Sequence, residues 1–206
     1  MNMRLKLDQL IGNVYIGYLE LVAKTSKIEV EFLDKVDVKN CILGFYHGDS
    51  YVMNLLMRAL KEEELKASIV VTADARGNYI EKLLNYYNMK ALRMPDGIRM
   101  KSFLRELKEE SKKENETLVV SLDGPLGPLH EPKKIGFMLS NYSQKEFLGV
   151  KLEVTRKIRL TKRWDNYIIP LPFSKIKFTI SNFGVVSKEN LADFNNYKEL
   201  VKIKLM

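Results

Sequence analysis

The feature that most constrains this chain is an alternation of short apolar or β-branched runs with helical stretches of about 10–15 residues. The runs fall at residues 41–46, 68–72 (SIVVT), 91–94 and 117–122 (TLVVSL). They are too apolar to leave a face in water, so each reads as a strand covered on both sides. Between them, 53–67 reads as helix. Ile80, Leu83, Leu84 and Tyr87 then fall at helical spacing, and Met100, Phe103, Leu104 and Leu107 give the i, i+3, i+4, i+7 stripe of another helix. Such a pattern predicts an α/β fold: one domain with a mostly parallel central sheet flanked by helices. Functional loops in such sheets lie beyond the carboxyl ends of the strands. His47, Asp74 and Asp123 each follow a predicted strand, so they are expected to converge on one edge.

Past Gly136 the pattern changes. Residues 147–154 and 175–181 read as further strands joined by a basic loop containing Trp and Pro, and a last helix is expected over about 189–202, capped by Ser187. No linker divides the chain, so residues 1–206 are expected to form one domain. An amphipathic helix is predicted at about 8–24. Its polar side is not rich in Lys or Arg, which favours docking on the core over lying in a bilayer.

The formal net charge is +8. Between positions 151 and 177, eight basic residues (Lys151, Arg156, Lys157, Arg159, Lys162, Arg163, Lys175 and Lys177) face only Glu153 and Asp165, a local excess of 8 − 2 = +6. A field of this kind suits phospholipid head groups, an acidic carrier protein or nucleic acid, and a solvated face with no partner is the plain alternative. Cys41 is the sole cysteine, which excludes an intramolecular disulfide and fits a reducing cytoplasm. No stretch approaches the ~18 apolar residues of a membrane span, and no signal-peptide pattern opens the sequence.

His47 sits in Tyr46-His47-Gly48-Asp49-Ser50, between a predicted buried strand and a helix. An imidazole is the side chain best suited to accept a proton near neutral pH; capping the next helix is the structural alternative. The sequence offers no His-x-x-x-His or His-Glu-x-x-His pair, so no metal site is expected. Cys41 lies six residues from His47, about 20 Å along an extended strand, too far to share a proton. There is no Gly-x-Ser-x-Gly elbow. The loop Asp123-Gly124-Pro125-Leu126-Gly127-Pro128 is too proline-rich to cradle a phosphate with its amides, and it looks built to fix backbone shape.

Four segments together resemble a branch of the lysophospholipid acyltransferase superfamily formerly catalogued as a domain of unknown function. Its members typically carry Trp-His-Gly after a strand, an Asp-Gly-Pro-Arg-Gly-Pro loop, a following Lys-x-Gly, and a closing Trp-Asp with Pro-x-Pro-Phe. Here the matching residues are Tyr46-His47-Gly48, Asp123-Gly124-Pro125-Leu126-Gly127-Pro128, Lys134-Ile135-Gly136, and Trp164-Asp165 with Pro170-Leu171-Pro172-Phe173. The match covers about residues 40–182.

The resemblance implies a glycerolipid acyltransferase-like fold and transfer of a fatty acyl group from an acyl carrier protein or coenzyme A thioester. The acceptor would be a hydroxyl of a lysophospholipid or lipid A precursor, at the inner face of the cytoplasmic membrane. His47 would be the general base, with the thioester as co-substrate and no bound cofactor. The superfamily's His-x-x-x-x-Asp places Val52 where the orienting aspartate belongs. Asp49 is the nearest substitute in sequence and ranks first; Asp123 and Asp74 are plausible in space. Arg76 and Arg93 are candidate phosphate binders, and Gly124, Lys134 and Trp164 are further candidate substrate contacts. The competing expectation is a binding module without catalysis, using the basic 151–177 segment on anionic lipid or nucleic acid; the acyltransferase reading expects no nucleic-acid partner. A thioester hydrolase, with water in place of the acceptor, is the third.

Overall fold

Cys41, Ile42, Leu43, Gly44 and Phe45 are all buried, as a central strand covered on both faces requires. The computed structural model describes residues 3–60, 65–72, 75–95 and 100–206, with the side chains of 3–8, 72, 75 and 76 left aside. The chain opens with helix α1 (Met3–Thr25) and strand β1 (Lys27–Phe32). Next come β2 (Cys41–Phe45), a 3-10 turn (His47–Asp49), α2 (Ser50–Leu60) and β3 (Ala67–Thr72). They are followed by α3 (Ala75–Tyr86), β4 (Lys90–Met94), α4 (Met100–Lys112), β5 (Thr117–Ser121), α5 (Lys134–Ser143) and β6 (Glu146–Val154). The chain closes with β7 (Lys157–Leu160), β8 (Tyr167–Pro170), β9 (Lys175–Asn182), α6 (Lys188–Ala192) and α7 (Phe194–Leu205).

Seven strands form one sheet in the order β1-β9-β6-β2-β5-β3-β4. β6, β2, β5, β3 and β4 run parallel to one another, while β9 is antiparallel to β6 and carries β1 parallel to itself. The chain is therefore a single α/β domain with a mixed, mostly parallel sheet flanked by helices. The antiparallel step arises where no crossover helix separates β6 from β9; a direct return reverses the strand. The short antiparallel hairpin β7–β8 is inserted there, in the stretch read from sequence as a loop.

Alternation along the strands separates two cores. Leu43, Val119 and Leu148 face α1, α2 and α3 through Leu19, Val22, Leu55, Leu56, Leu83 and Leu84. Ile42, Leu118, Val120 and Phe147 face α4, α5 and α7 through Phe103, Leu107, Phe137, Val201 and Leu205. Phe137 and Phe147 meet at 4.4 Å between ring centroids. The inner side of α1 docks on the core, as its composition suggested, with Leu19 and Val22 fully buried.

Several boundaries shift. The helix expected over 53–67 begins at Ser50, and Ala67 belongs to β3. The last helix is two, separated at Asp193, with Ser187 Oγ accepting from the Asn190 amide at 3.1 Å as the cap of the first. Strand β1 and helix α5 were not anticipated.

Candidate active site

β2 and β5 are neighbours in register, Phe45 opposite Ser121, so the residues just past them emerge side by side at the carboxyl edge. His47 follows β2 and Asp123 follows β5. The Asp123 carboxylate accepts the His47 amide at 2.8 Å and the His130 amide at 3.3 Å. It thereby clamps the main chain of the histidine turn to the 122–133 loop, and it does so while buried. Burial pushes its pKa up, against the pull of those amides.

The carboxylate on the imidazole is Asp165. His47 Nδ1 lies 2.9 Å from Asp165 Oδ2. Asp49, the residue first expected there, makes no hydrogen bond to the ring among the described residues. The reason is local geometry: His47–Asp49 is a 3-10 turn closed by the Asp49 amide on the Tyr46 carbonyl at 2.9 Å. At three residues per turn, position i+2 points about 240° away from position i. Asp49 instead lies where burial, then the Asp123 charge, push its carboxyl up to about 7, opposed by Arg159 and Lys157. Asp74 lies outside the described residues.

Asp165 is 1% exposed and held from its other side by Arg163, whose Nε and Nη2 donate to Oδ1 at 2.9 Å and Oδ2 at 2.7 Å. Burial disfavours the charged carboxylate, but the hydrogen bonds from Arg163 and His47 outweigh it and hold the pKa at about 2. Asp165 is thus an anion at any physiological pH. Being ionised it can only accept, so Nδ1–H of His47 is the donor of this bond, and among the described residues Nε2 has no hydrogen-bond partner. The His47 side chain is 23% exposed, so the imidazole is only part-covered.

Two glycines let the pieces close. A Cβ on Gly48 would stand 2.1 Å from the Asp165 carbonyl oxygen, so only glycine allows the turn to seat against that backbone. Gly127 has φ +70, and a Cβ there would stand 2.5 Å from the Trp164 ring. The Trp164 ring is in turn 5.3 Å from the His47 ring, centroid to centroid. Positions 47, 127 and 164 therefore form one contact chain across three separate segments.

The other predicted residues are placed differently. Gly124 turns the chain after Asp123 with φ +65. Lys134 opens α5, its ammonium over the Phe194 ring at 5.8 Å, on the α7 side. Arg93 bonds the Glu81 carboxylate, with Nε to Oε2 at 3.0 Å, and Asn78, a structural pairing between β4 and α3. The Arg76 side chain is among those left aside.

Sequence reasoning missed Asp165 as the partner of His47 and Arg163 as the partner of Asp165. The available signal was that Asp165 is the lone acidic residue between Glu153 and Glu189, an isolated anion in a basic stretch. The second histidine, His130, also belongs here. Its ring is 4.6 Å from the Tyr46 ring and its φ is +55. Burial lowers its pKa, favouring the neutral ring.

The basic 151–177 stretch does not stay together. Lys175 and Lys177 pair with Glu29 and Glu31 of β1, and Arg163 with Asp165. Among the described residues no group of His, Cys, Asp and Glu could hold a metal ion, and no helix is long and apolar enough to cross a membrane. No protein-family model matches this chain, and no curated protein matches it either.

Proposed function

We propose that this protein is an O-acyltransferase of the lysophospholipid acyltransferase type, with a glycerolipid acyltransferase-like fold. It would move an acyl group from an acyl carrier protein or coenzyme A thioester to a lipid hydroxyl at a membrane surface. The observation that carries this reading is the dyad: an ionised, buried Asp165 on Nδ1 of His47, just past the carboxyl end of β2, with no hydrogen bond to Nε2 among the described residues.

In the proposed reaction Nε2 takes the proton of the acceptor hydroxyl. The oxygen attacks the thioester carbonyl carbon, and the π electrons move to the carbonyl oxygen. Collapse of that tetrahedral species re-forms the carbonyl and expels the thiolate, which takes the proton back from the imidazolium. Ester and thiol leave, and the enzyme is unchanged. No covalent enzyme intermediate arises, so no enzyme nucleophile is required. A positioned general base supplies about 10²–10⁴-fold. Asp165 contributes by holding the tautomer and stabilising the imidazolium, the part a third residue takes in a serine protease triad.

Convergence of three of the four resembling segments supports the same reading, since Gly48 meets the Asp165 backbone and Gly127 meets Trp164. The test is transfer of labelled acyl groups from carrier-protein or coenzyme A thioesters to a panel of lysophospholipids and lipid A precursors. Wild type should form product, His47→Ala should not while remaining folded, and the productive acceptor names the substrate. Activity that survives in His47→Ala refutes the mechanism, and free fatty acid released without acceptor would assign hydrolysis instead.

A further inference from the structure

Large apolar side chains stand exposed on segments beside the dyad. Leu126, at the tip of the 122–133 loop, is 88% exposed, and Phe173, just after β8, is 70% exposed with φ +60. Ile158 on β7 is exposed between them in the chain. Helix α1 extends this surface: Leu10, Val14 and Leu21 are exposed at spacings of four and seven, one stripe of a helix.

Two bonds tie that stripe to the hairpin side. The Tyr18 hydroxyl donates to the Pro170 carbonyl at 2.8 Å, and the Ser174 amide donates to Ser26 Oγ at 3.0 Å. Tyr18 is flanked on the helix by Val14 and Leu21, and Ser174 adjoins Phe173 in sequence. The inner side of α1 is already used by the core, so the outer stripe is a second apolar face.

Charge accompanies it. Arg156, Lys157, Arg159 and Lys162 all lie on or beside β7, and none makes an ion pair among the described residues, although Arg159 and Lys157 act on the Asp49 carboxyl from a distance. The two cations at the start of β9, by contrast, are neutralised by β1. Exposed apolar tips interleaved with cations that make no ion pair among the described residues match an anionic bilayer, whose headgroups take the charge and whose acyl boundary takes the tips.

We propose that the β7–β8 hairpin, Leu126, Phe173 and the outer stripe of α1 form one docking face for an anionic lipid bilayer. This deepens the acyltransferase reading by naming the surface on which the acceptor is met, and it rests on that reading for the acceptor alone. The dyad belongs to the same edge, since Trp164 joins the hairpin tip to His47.

The test is sedimentation of the full chain with vesicles of phosphatidylcholine alone or mixed with phosphatidylglycerol, at low and high salt. Binding should require phosphatidylglycerol and fall steeply with salt. Phe173→Ser and Leu126→Ser should each lower partitioning about tenfold without changing thermal stability, and Lys157→Glu should lower it at least fivefold. Ile203→Ser, at a site 80% exposed on α7 over the opposite face, should leave it unchanged.

Equal sedimentation with both vesicles, an Ile203→Ser loss matching that of Phe173→Ser, or salt-sensitive binding to an oligonucleotide but not to vesicles would each overturn the proposal. Acyl transfer to a micellar lysolipid separates the two ideas. Transfer without vesicle binding refutes the docking face and spares the chemistry. Vesicle binding without transfer does the reverse.

Discussion

Replacing Asp165 with asparagine keeps the shape of the side chain and removes its charge from a site 1% exposed. In the wild type this carboxyl has a folded pKa of about 2 against an ordinary 3.8. A group whose pKa is lowered on folding contributes stability above its unfolded pKa and loses it as pH falls through the folded one. The difference of nearly two pKa steps, at 1.36 kcal/mol each, gives roughly 2 kcal/mol at pH 5 and above. The same relation leaves about 1 kcal/mol at pH 3 and well under 1 kcal/mol at pH 2.

The asparagine variant lacks this term at every pH, so its deficit relative to wild type should be largest near neutrality and shrink between pH 4 and pH 2. Urea unfolding of both proteins across pH 2–7, with midpoints converted at constant slope, measures it. Comparing the two at each pH cancels the titrating groups that are not coupled to Asp165, and the window below pH 4 lies under the ordinary range of the His47 imidazole bonded to it. A deficit that stays the same at pH 2.5 and pH 7 would mean that Asp165 acts by packing, and the ionic account of the dyad would be wrong.

Three further outcomes are expected. Gly48→Ala should cost about 1–3 kcal/mol, because its Cβ meets a main-chain oxygen that cannot rotate away; thermal unfolding reads the loss. Gly127→Ala should cost a similar amount and shift the fluorescence of Trp164, the sole tryptophan, since the added methyl pushes on that ring. Asp49→Asn should raise stability at pH 8 and change it little at pH 4. The folded carboxyl keeps its proton to about pH 7, so wild-type stability falls as pH rises from about 4 to 7.

Much of the sheet was legible because burial on both faces leaves no room for polar residues. Residues 41–46 and 117–122 are wholly or nearly apolar, and β2 and β5 lie within one residue of those bounds at each end. Strand β1 was readable too, with Ile28, Val30 and Phe32 alternating against Lys27, Glu29 and Glu31, but it lacks the continuous apolar run that marks the central strands. The hairpin was harder. Its strands are four residues each, KIRL and YIIP, one basic and one ending in proline, and hairpin pairing is set by partner and turn more than by composition. The orienting carboxylate was hidden for the same reason: spacing within a turn is local information, and Asp165 reaches His47 only through a long-range fold.

His47 and Asp165 are 118 positions apart in the chain. At a synthesis rate of about 5–20 residues per second, the imidazole is made roughly 6–24 s before its carboxylate exists. Through that interval β2 also lacks both of its neighbours, β5 and β6, for much of the time. The N-terminal third of the domain must therefore leave the ribosome with its central strand unpaired, and the proton-transfer dyad is completed only when the hairpin emerges.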